Sequence, residues 1–324
     1  MVESSDLKIV VLDSKPLDDG DMDWSPLQAK GVLCLHDNTR GEELLERIED
    51  AEIIFSNKVK LPREAFDAAP NLKMIGVLAT GYDIVDIEAA RAKNVTVCNV
   101  PSYSAAFTAQ STWALLLELT HNVGAHDNAV EDGLWTMQEY FSFWNYPLVE
   151  LDGKTLVIFG LGNIGRRVAC VAKAIGMNVI AAQMPGREAK ADAEFSYLPL
   201  DEAVAQADVI SLHCPATPQT RELIDAEFLA RLKPSVLIVN ASRGALVNEA
   251  DLAAALWEKK IAGYATDVLS SEPPPETNPL LHAPNCIITP HLGWASPECR
   301  QRLLKTSVQN LQMFLEGKPQ NVVS

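Results

Sequence analysis

Along the first hundred residues, short apolar runs alternate with segments of helical character. "KIVVLD", "VLCLHD", "AEIIFSN", "LKMIGVLA" and "VTVCNV" are strand-like, and "GEELLERIED" and "DIEAARAKN" lie between them. Strands that are apolar at nearly every position, rather than at alternate ones, are covered on both faces, which predicts a parallel sheet with helices on each side. A second series follows in "KTLVIF", "MNVIAA", "DVISLH", "SVLIVN", "AGYATDVL" and "CIIT". A chain of 324 residues accommodates two domains at roughly 100 to 200 residues each. The pattern therefore predicts an α/β protein of two doubly wound parallel-sheet domains with a cleft between them.

Between the two series the character changes. "SAAFTAQSTWALLLELTHNV" is a long helical segment without proline, and apolar positions all round such a helix imply burial between domains or between subunits. The stretch "EDGLWTMQEYFSFWNYP" holds Trp135 and Trp144 with Tyr140, Phe141, Phe143 and Tyr146. Such aromatic density points either to an interface or to rings folded onto their own domain. The final segment, "PECRQRLLKTSVQNLQMFLEGK", is an amphipathic helix with Gly317 placed as its C-terminal cap.

Composition narrows the function classes. With 27 basic residues against 43 acidic ones the net charge is −16, which repels nucleic acid and anionic membrane surfaces. The six cysteines never come closer than 13 residues to one another, so no CxxC metal or redox motif exists and no metal is expected. The start "MVESSDLKIVVLD" lacks a secretory pattern, and no run approaches the roughly 18 apolar residues of a membrane span. A cytoplasmic protein is expected.

Chemistry enters at "KTLVIFGLGNIGRRVACVAKAIGM". Gly160, Gly162 and Gly165 stand in GxGxxG spacing, directly after a strand pattern and directly before a helix pattern. The first glycine makes the tight turn, the second lets the backbone approach a pyrophosphate, and the third packs helix on strand. The spacing alone is weak evidence, but its strand and helix context predicts dinucleotide binding. Gln183 lies 18 residues after Gly165, near the offset at which an Asp or Glu binds the ribose 2′-OH of NAD. Without a carboxylate there, the 2′-phosphate of NADP is not repelled. Arg187 either meets that phosphate with a charge-assisted hydrogen bond or is a solvated loop residue; the sequence leaves both readings open.

Three further segments, "LIVNASRGALVNEADLAAAL", "GYATDVLSSEPPPETNPL" and "NCIITPHLGWASPECRQRL", each place one ionisable residue at or beyond a strand end: Arg243, Glu272 and His291. Singly, each has a structural explanation. Together with the glycine motif they give the chain a resemblance to the D-isomer-specific 2-hydroxyacid dehydrogenases, strongest from "DGKTLVIFGLGNIG" to "TPHLGWAS". "SNKV", "ATGYDIVD", "NVPSYS", "FWNYP" and Trp294 further resemble the glycerate dehydrogenase and hydroxypyruvate reductase branch.

The resemblance implies a flavodoxin-like substrate domain built from residues 1–103 and 297–324, and a Rossmann NAD(P)-binding domain over 104–296. It implies NAD(P)H-dependent reduction of a small 2-keto acid, hydroxypyruvate or glyoxylate, to the D-2-hydroxy acid; the apolar helix and the aromatic stretch, separately, point to a homodimer as the default. His291 would be the general acid and base, oriented by Glu272, which favours its protonated form. Arg243 would hold the substrate carboxylate and polarise the keto oxygen with its planar fork of donors. Leu78, Ala79, Thr80 and Gly81 would direct backbone N–H groups at the same carboxylate. Thr108, Asn163, Ile164, His213, Cys214 and Thr220 would line the cofactor with the three glycines, Gln183 and Arg187. Ala241, Ser242, Asp267 and Gly293 would complete that wall, Asp267 at the nicotinamide amide. Gln183 departs from the family's usual aspartate. Alternatives are a dehydrogenase of another small acid, with Glu272 arguing against the formate type, and a dinucleotide-sensing regulatory protein on the same fold.

Overall fold

The apolar runs of the first hundred residues form a five-stranded sheet: β1 (Lys8–Val11), β2 (Val32–Leu35), β3 (Ile53–Ser56), β4 (Met74–Val77) and β5 (Thr96–Cys98). Their order is β2-β1-β3-β4-β5 and every pairing is parallel. β3 and β4 are buried at all four positions, which is why their sequences do not alternate. β2 is the exception: it is an edge strand, and Val32 and Leu35 remain exposed although the run is apolar. The computed structural model describes residues 7–187 and 192–324. It divides at Ser104: the first unit runs to that residue and resumes over Ala295–Ser324, and the second is Ala105–Trp294.

The returning helix, Pro297–Leu315, packs on β4. It ends as the sequence predicts, with Gly317 in the left-handed region at φ 72°. The Gly317 N–H donates to the Phe314 carbonyl and the Lys318 N–H to that of Met313, both at 2.9 Å, which is the paired closure of a Schellman cap. The chain then runs antiparallel beside β5, with Val322 opposite Cys98 and the Val323 N–H donating to the Val97 carbonyl at 2.8 Å.

The second unit is a seven-stranded parallel sheet. Its strands are β6 (Thr155–Phe159), β7 (Asn178–Gln183), β8 (Ser196–Pro199), β9 (Val209–Leu212), β10 (Leu237–Asn240), β11 (Gly263–Thr266) and β12 (Cys286–Ile288). The order β12-β11-β10-β9-β6-β7-β8 reverses direction between β6 and β9, and such switch points are where open α/β sheets bind ligands. β8 has no counterpart in the hydrophobic pattern: "SYLP" is short, partly exposed and at the edge, where a proline is tolerated.

The long central helix is also shorter than its pattern suggests. It spans Ala105–His121, stops at Asn122 in the left-handed region (φ 51°), and a second helix follows over Val123–Glu131. The first helix buries Trp113, Leu115 and Leu116 against the helix Asn163–Ala174 and the strands beneath, yet Leu117 stays exposed. Beyond it the aromatic stretch lies at the surface: Phe141 is 90% and Trp144 69% exposed. No helix among the described residues is long and apolar enough to cross a membrane.

Candidate active site

β6 runs into Gly160 at φ 96°, where a Cβ would lie 2.8 Å from the backbone of His213 and Cys214. A Cβ on Gly165 would stand 2.2 Å from the Gly160 carbonyl oxygen and 3.1 Å from Ile158. At Gly162, by contrast, nothing lies within 4 Å of the Cβ position. Packing therefore demands the first and third glycines, and the second leaves the backbone open to close approach. Gly162 also starts the helix Asn163–Ala174 and no side chain caps it. The first turn of this helix offers the N–H groups of Ile164 and Gly165 and the positive end of the helix dipole to an anion. These residues fit the pyrophosphate of a dinucleotide.

Gln183 closes β7 opposite Pro199, and the chain turns through Met184 to Arg187, whose N–H donates to the Met184 carbonyl at 3.2 Å. Gly186, at φ 72°, lies against Gln219 of the loop after β9. Arg187 is exposed, and no ion pair holds it among the described residues. Burial pushes the Cys214 thiol up to about 11, and the Arg187 charge acts on it in the opposite sense. The Arg166 guanidinium, by contrast, is already paired with Asp192 and Glu194. It is the main cause that holds the Asp192 carboxyl down at about 2.

After β9 the polar groups turn inward. Burial holds the His213 imidazole neutral, pushed down to about 3. Its Nε2 lies 2.8 Å from Ser211 Oγ, and its Nδ1 is enclosed with no partner among the described residues. His213 thus borders the glycine turn with its backbone. The buried Thr220 hydroxyl donates to the Pro215 carbonyl at 2.8 Å and accepts from the Thr217 N–H at 2.8 Å, closing its own loop. Ser242 Oγ donates to the Cys214 carbonyl at 2.7 Å and, beside the buried Ala241, ties the loop after β10 to the one after β9.

Arg243, Glu272 and His291 follow the carboxyl ends of β10, β11 and β12, the sheet edge that also carries the glycine turn. His291 Nδ1 and Glu272 Oε2 are 2.6 Å apart. A carboxylate accepting at Nδ1 sets that nitrogen as the N–H and leaves Nε2 as the atom that exchanges a proton with a ligand. Glu272 is fixed in turn, its Oε1 accepting the Leu269 N–H at 3.1 Å. His291 itself is left-handed at φ 56°, an uncommon conformation for a non-glycine residue that the surrounding turn must hold. Arg243 is exposed, and its Nη1 donates to the Ser242 carbonyl at 2.8 Å. Its loop is pressed on the one leading to Glu272, since a Cβ on Gly244 would lie 1.9 Å from the Leu269 carbonyl carbon.

Three anchors hold this arrangement; neither Asn240 nor Glu249 was singled out from the sequence, and Asp267 was named for the cofactor and not for this turn. Asn240, fully buried, donates from Nδ2 to the Arg243 carbonyl and accepts the Ser242 N–H at Oδ1, each at 3.0 Å. Glu249 accepts from Ser270 N–H (2.7 Å), Ser270 Oγ (2.8 Å) and Asn278 Nδ2 (2.7 Å), fixing the loop before Glu272. Asp267, 3% exposed, accepts from Thr289 Oγ1 (2.5 Å), Leu292 N–H (2.7 Å) and Gly293 N–H (2.6 Å), so its carboxylate secures the turn that carries His291. Thr108 Oγ1 completes that turn by donating to the Gly293 carbonyl at 2.8 Å. An asparagine ending an otherwise apolar strand, as in "LIVN", is the one hint that was available.

In the first unit, the loop Leu78–Gly81 follows β4. The Leu78 N–H is used by the Ser56 carbonyl at 2.8 Å, whereas the N–H groups of Ala79, Thr80 and Gly81 have no acceptor among the described residues. Three consecutive unbonded N–H groups form a concentrated donor for an anion.

Comparison with known proteins identifies the family. Residues 113–293 match the family described as D-isomer specific 2-hydroxyacid dehydrogenase, NAD binding domain. A hydroxypyruvate reductase of Blautia hydrogenotrophica is 46% identical over 321 residues, covering 98% of this chain and 100% of that protein. A glycerate dehydrogenase of Methylorubrum extorquens is 39% identical, covering 87% of this chain and 88% of its own. Among solved structures, an NADPH-dependent glyoxylate/hydroxypyruvate reductase from Sinorhizobium meliloti, in complex with NADP and malonate, superposes with a TM-score of 0.82 at 27% identity. That match covers 98% of this chain and 97% of the other.

Proposed function

Because the chain belongs to the D-isomer-specific 2-hydroxyacid dehydrogenase family, we propose that it reduces a small 2-keto acid, hydroxypyruvate or glyoxylate, to its 2-hydroxy acid with NAD(P)H. The observation that carries the reading is the His291–Glu272 pair at 2.6 Å on the sheet edge that bears the glycine turn. A bound nicotinamide supplies the hydride. His291 gives its Nε2 proton to the alkoxide oxygen as charge develops there, and Glu272 keeps the ring oriented and stabilises the imidazolium in the reverse direction. Arg243 holds the carboxylate and polarises the keto oxygen. The unbonded N–H groups of Ala79, Thr80 and Gly81 are a donor set for a substrate carboxylate. Residues 1–103 with 297–324 serve the substrate, and 104–296 serve the cofactor.

The test is a comparison of kcat/KM for NADPH and NADH with hydroxypyruvate, glyoxylate and pyruvate. NADPH is expected to serve at least as well as NADH, because Gln183 brings no charge against a 2′-phosphate and Arg187 has a guanidinium to give it. Gln183→Asp should shift the ratio towards NADH about tenfold, or about 1.4 kcal/mol. Arg187→Ala should lower kcat/KM for NADPH by about tenfold or more and leave that for NADH unchanged. Failure to oxidise either nucleotide with any of the three acids would refute the reaction; a strong NADH preference in the parent would refute the cofactor assignment.

The buried cysteines Cys98, Cys214 and Cys299 are free thiols, which supports a reducing, cytoplasmic location. The exposed aromatic stretch supports a homodimer. Phe141, Trp144, Tyr140 and Met137 are each at least 69% exposed, and apolar side chains massed in this way favour association. A pocket of about 530 Å³ in the same segment is lined by Val123, Val130, Trp135, Phe143 and Trp144. The double variant Phe141→Glu, Trp144→Glu should sediment as a monomer where the parent sediments as a dimer; a monomeric parent would remove the proposal.

A further inference from the structure

Three consecutive peptide planes in the loop after β4 are pinned by their carbonyl oxygens. Asn57 Nδ2 donates to the Leu78 carbonyl at 2.6 Å, the Val100 N–H to the Ala79 carbonyl at 3.0 Å, and Asn99 Nδ2 to the Thr80 carbonyl at 2.7 Å. A carbonyl only accepts, so each amide must present its nitrogen there. In a trans peptide the carbonyl of one residue and the N–H of the next point in opposite directions. Fixing these three oxygens therefore fixes the directions of the Ala79, Thr80 and Gly81 N–H groups, the ones without an acceptor among the described residues.

Both asparagines are themselves locked. Asn57 is 4% exposed and its N–H donates to Asp13 Oδ1 at 2.8 Å. The other oxygen of Asp13 accepts the N–H groups of Lys58 at 2.5 Å and Val59 at 3.2 Å. Asn99 is 9% exposed, donates its N–H to the Asn321 carbonyl at 3.1 Å and accepts Asn310 Nδ2 at its own carbonyl at 2.9 Å. Asn321 Nδ2 closes the set on Asn310 Oδ1 at 2.8 Å.

We infer that Asn57 and Asn99 are positioning residues that clamp the carbonyl side of Leu78–Thr80 so that the opposite, N–H side stays aimed at the substrate carboxylate. The inference rests on the proposed role of this loop. Without the clamps the peptides can rotate and bring carbonyl oxygens towards the anion, which repels it. The loss falls on binding, in ground and transition states alike, and so on KM rather than kcat.

The experiment uses the full chain with Asn57→Ala, Asn99→Ala and the donor-retaining Asn57→Gln. It measures melting temperature, NADPH affinity, steady-state kinetics with hydroxypyruvate, and oxalate binding followed by the amide resonances of Ala79, Thr80 and Gly81 in ¹⁵N-labelled protein. Each alanine variant should raise KM and the oxalate Kd about tenfold, change kcat less than threefold and leave NADPH affinity as in the parent; Asn57→Gln should recover part of the loss. Unchanged KM and oxalate affinity in the folded alanine variants would overturn the clamp, as would loop amides in the parent that ignore oxalate. Should the parent reduce no keto acid while its loop amides bind oxalate and the variants weaken that binding, the reaction falls and the clamp stands.

Discussion

His291→Asn is expected to bind NADPH as the parent does and to reduce hydroxypyruvate on the order of 10² to 10⁴ times more slowly, the contribution of a positioned general acid. Asparagine suits this test because His291 sits at φ 56°, and among non-glycine residues asparagine accepts the left-handed region most readily. The turn that carries it is held by Asp267 and Thr108 through backbone groups, none of which the substitution touches. The fold and the glycine turn should therefore survive, and the loss should appear in kcat. Stopped-flow and steady-state assays with a parallel NADPH titration separate the two effects. A variant that retains kcat within tenfold would show that the proton comes from elsewhere. Glu272→Gln keeps a partner for Nδ1 but removes the negative charge, so it should lose less than His291→Asn.

The hydrophobic pattern made both sheets legible, for a physical reason. Strands such as β3, β9 and β10, buried at every position, must be continuously apolar, and few other structures require that. β8 was invisible because an edge strand needs neither continuity nor burial. Asn122 ended a helix that its periodicity would have extended, since a single left-handed residue leaves no mark on a hydrophobic pattern. The glycine turn was legible because Gly160 and Gly165 are demanded by backbone contacts too short for any Cβ. His291, Glu272 and Arg243 could be singled out because each follows a strand end among apolar or turn residues, and the structure places all three at one edge of the sheet. What holds them in place was less legible: Glu249 acts on Ser270 and Asn278, and Asp267, named for the cofactor, acts on the turn at Leu292 and Gly293, separations in sequence that only the fold closes. Asn240 acts within its own loop, where an apolar pattern carries no mark of a hydrogen bond. His213, which the resemblance names for the cofactor wall, borders the glycine turn through its backbone, while its imidazole is enclosed and neutral.

Arg243→Ala should lower kcat/KM for hydroxypyruvate on the order of 10² to 10³, the usual cost of removing a donor aimed at developing negative charge. The geometry makes this a test of function rather than of folding. The guanidinium is exposed, its one side-chain bond is to the neighbouring Ser242 carbonyl, and no carboxylate pairs with it among the described residues. The loop's shape is held instead by Asn240 on either side of it and by the contact of Gly244 with Leu269, so the melting temperature should hardly move. In the proposed role the arginine both binds the carboxylate and polarises the keto oxygen, so KM should rise and kcat should fall together. Arg243→Lys should recover only part of the loss: an ammonium restores the charge but not two parallel donors in one plane. Free guanidine added to the alanine variant should raise its rate, saturating with concentration, and should not act on the parent. Full activity in Arg243→Ala, or equal rescue by guanidine and by simple monovalent salts, would mean that the carboxylate is bound without it.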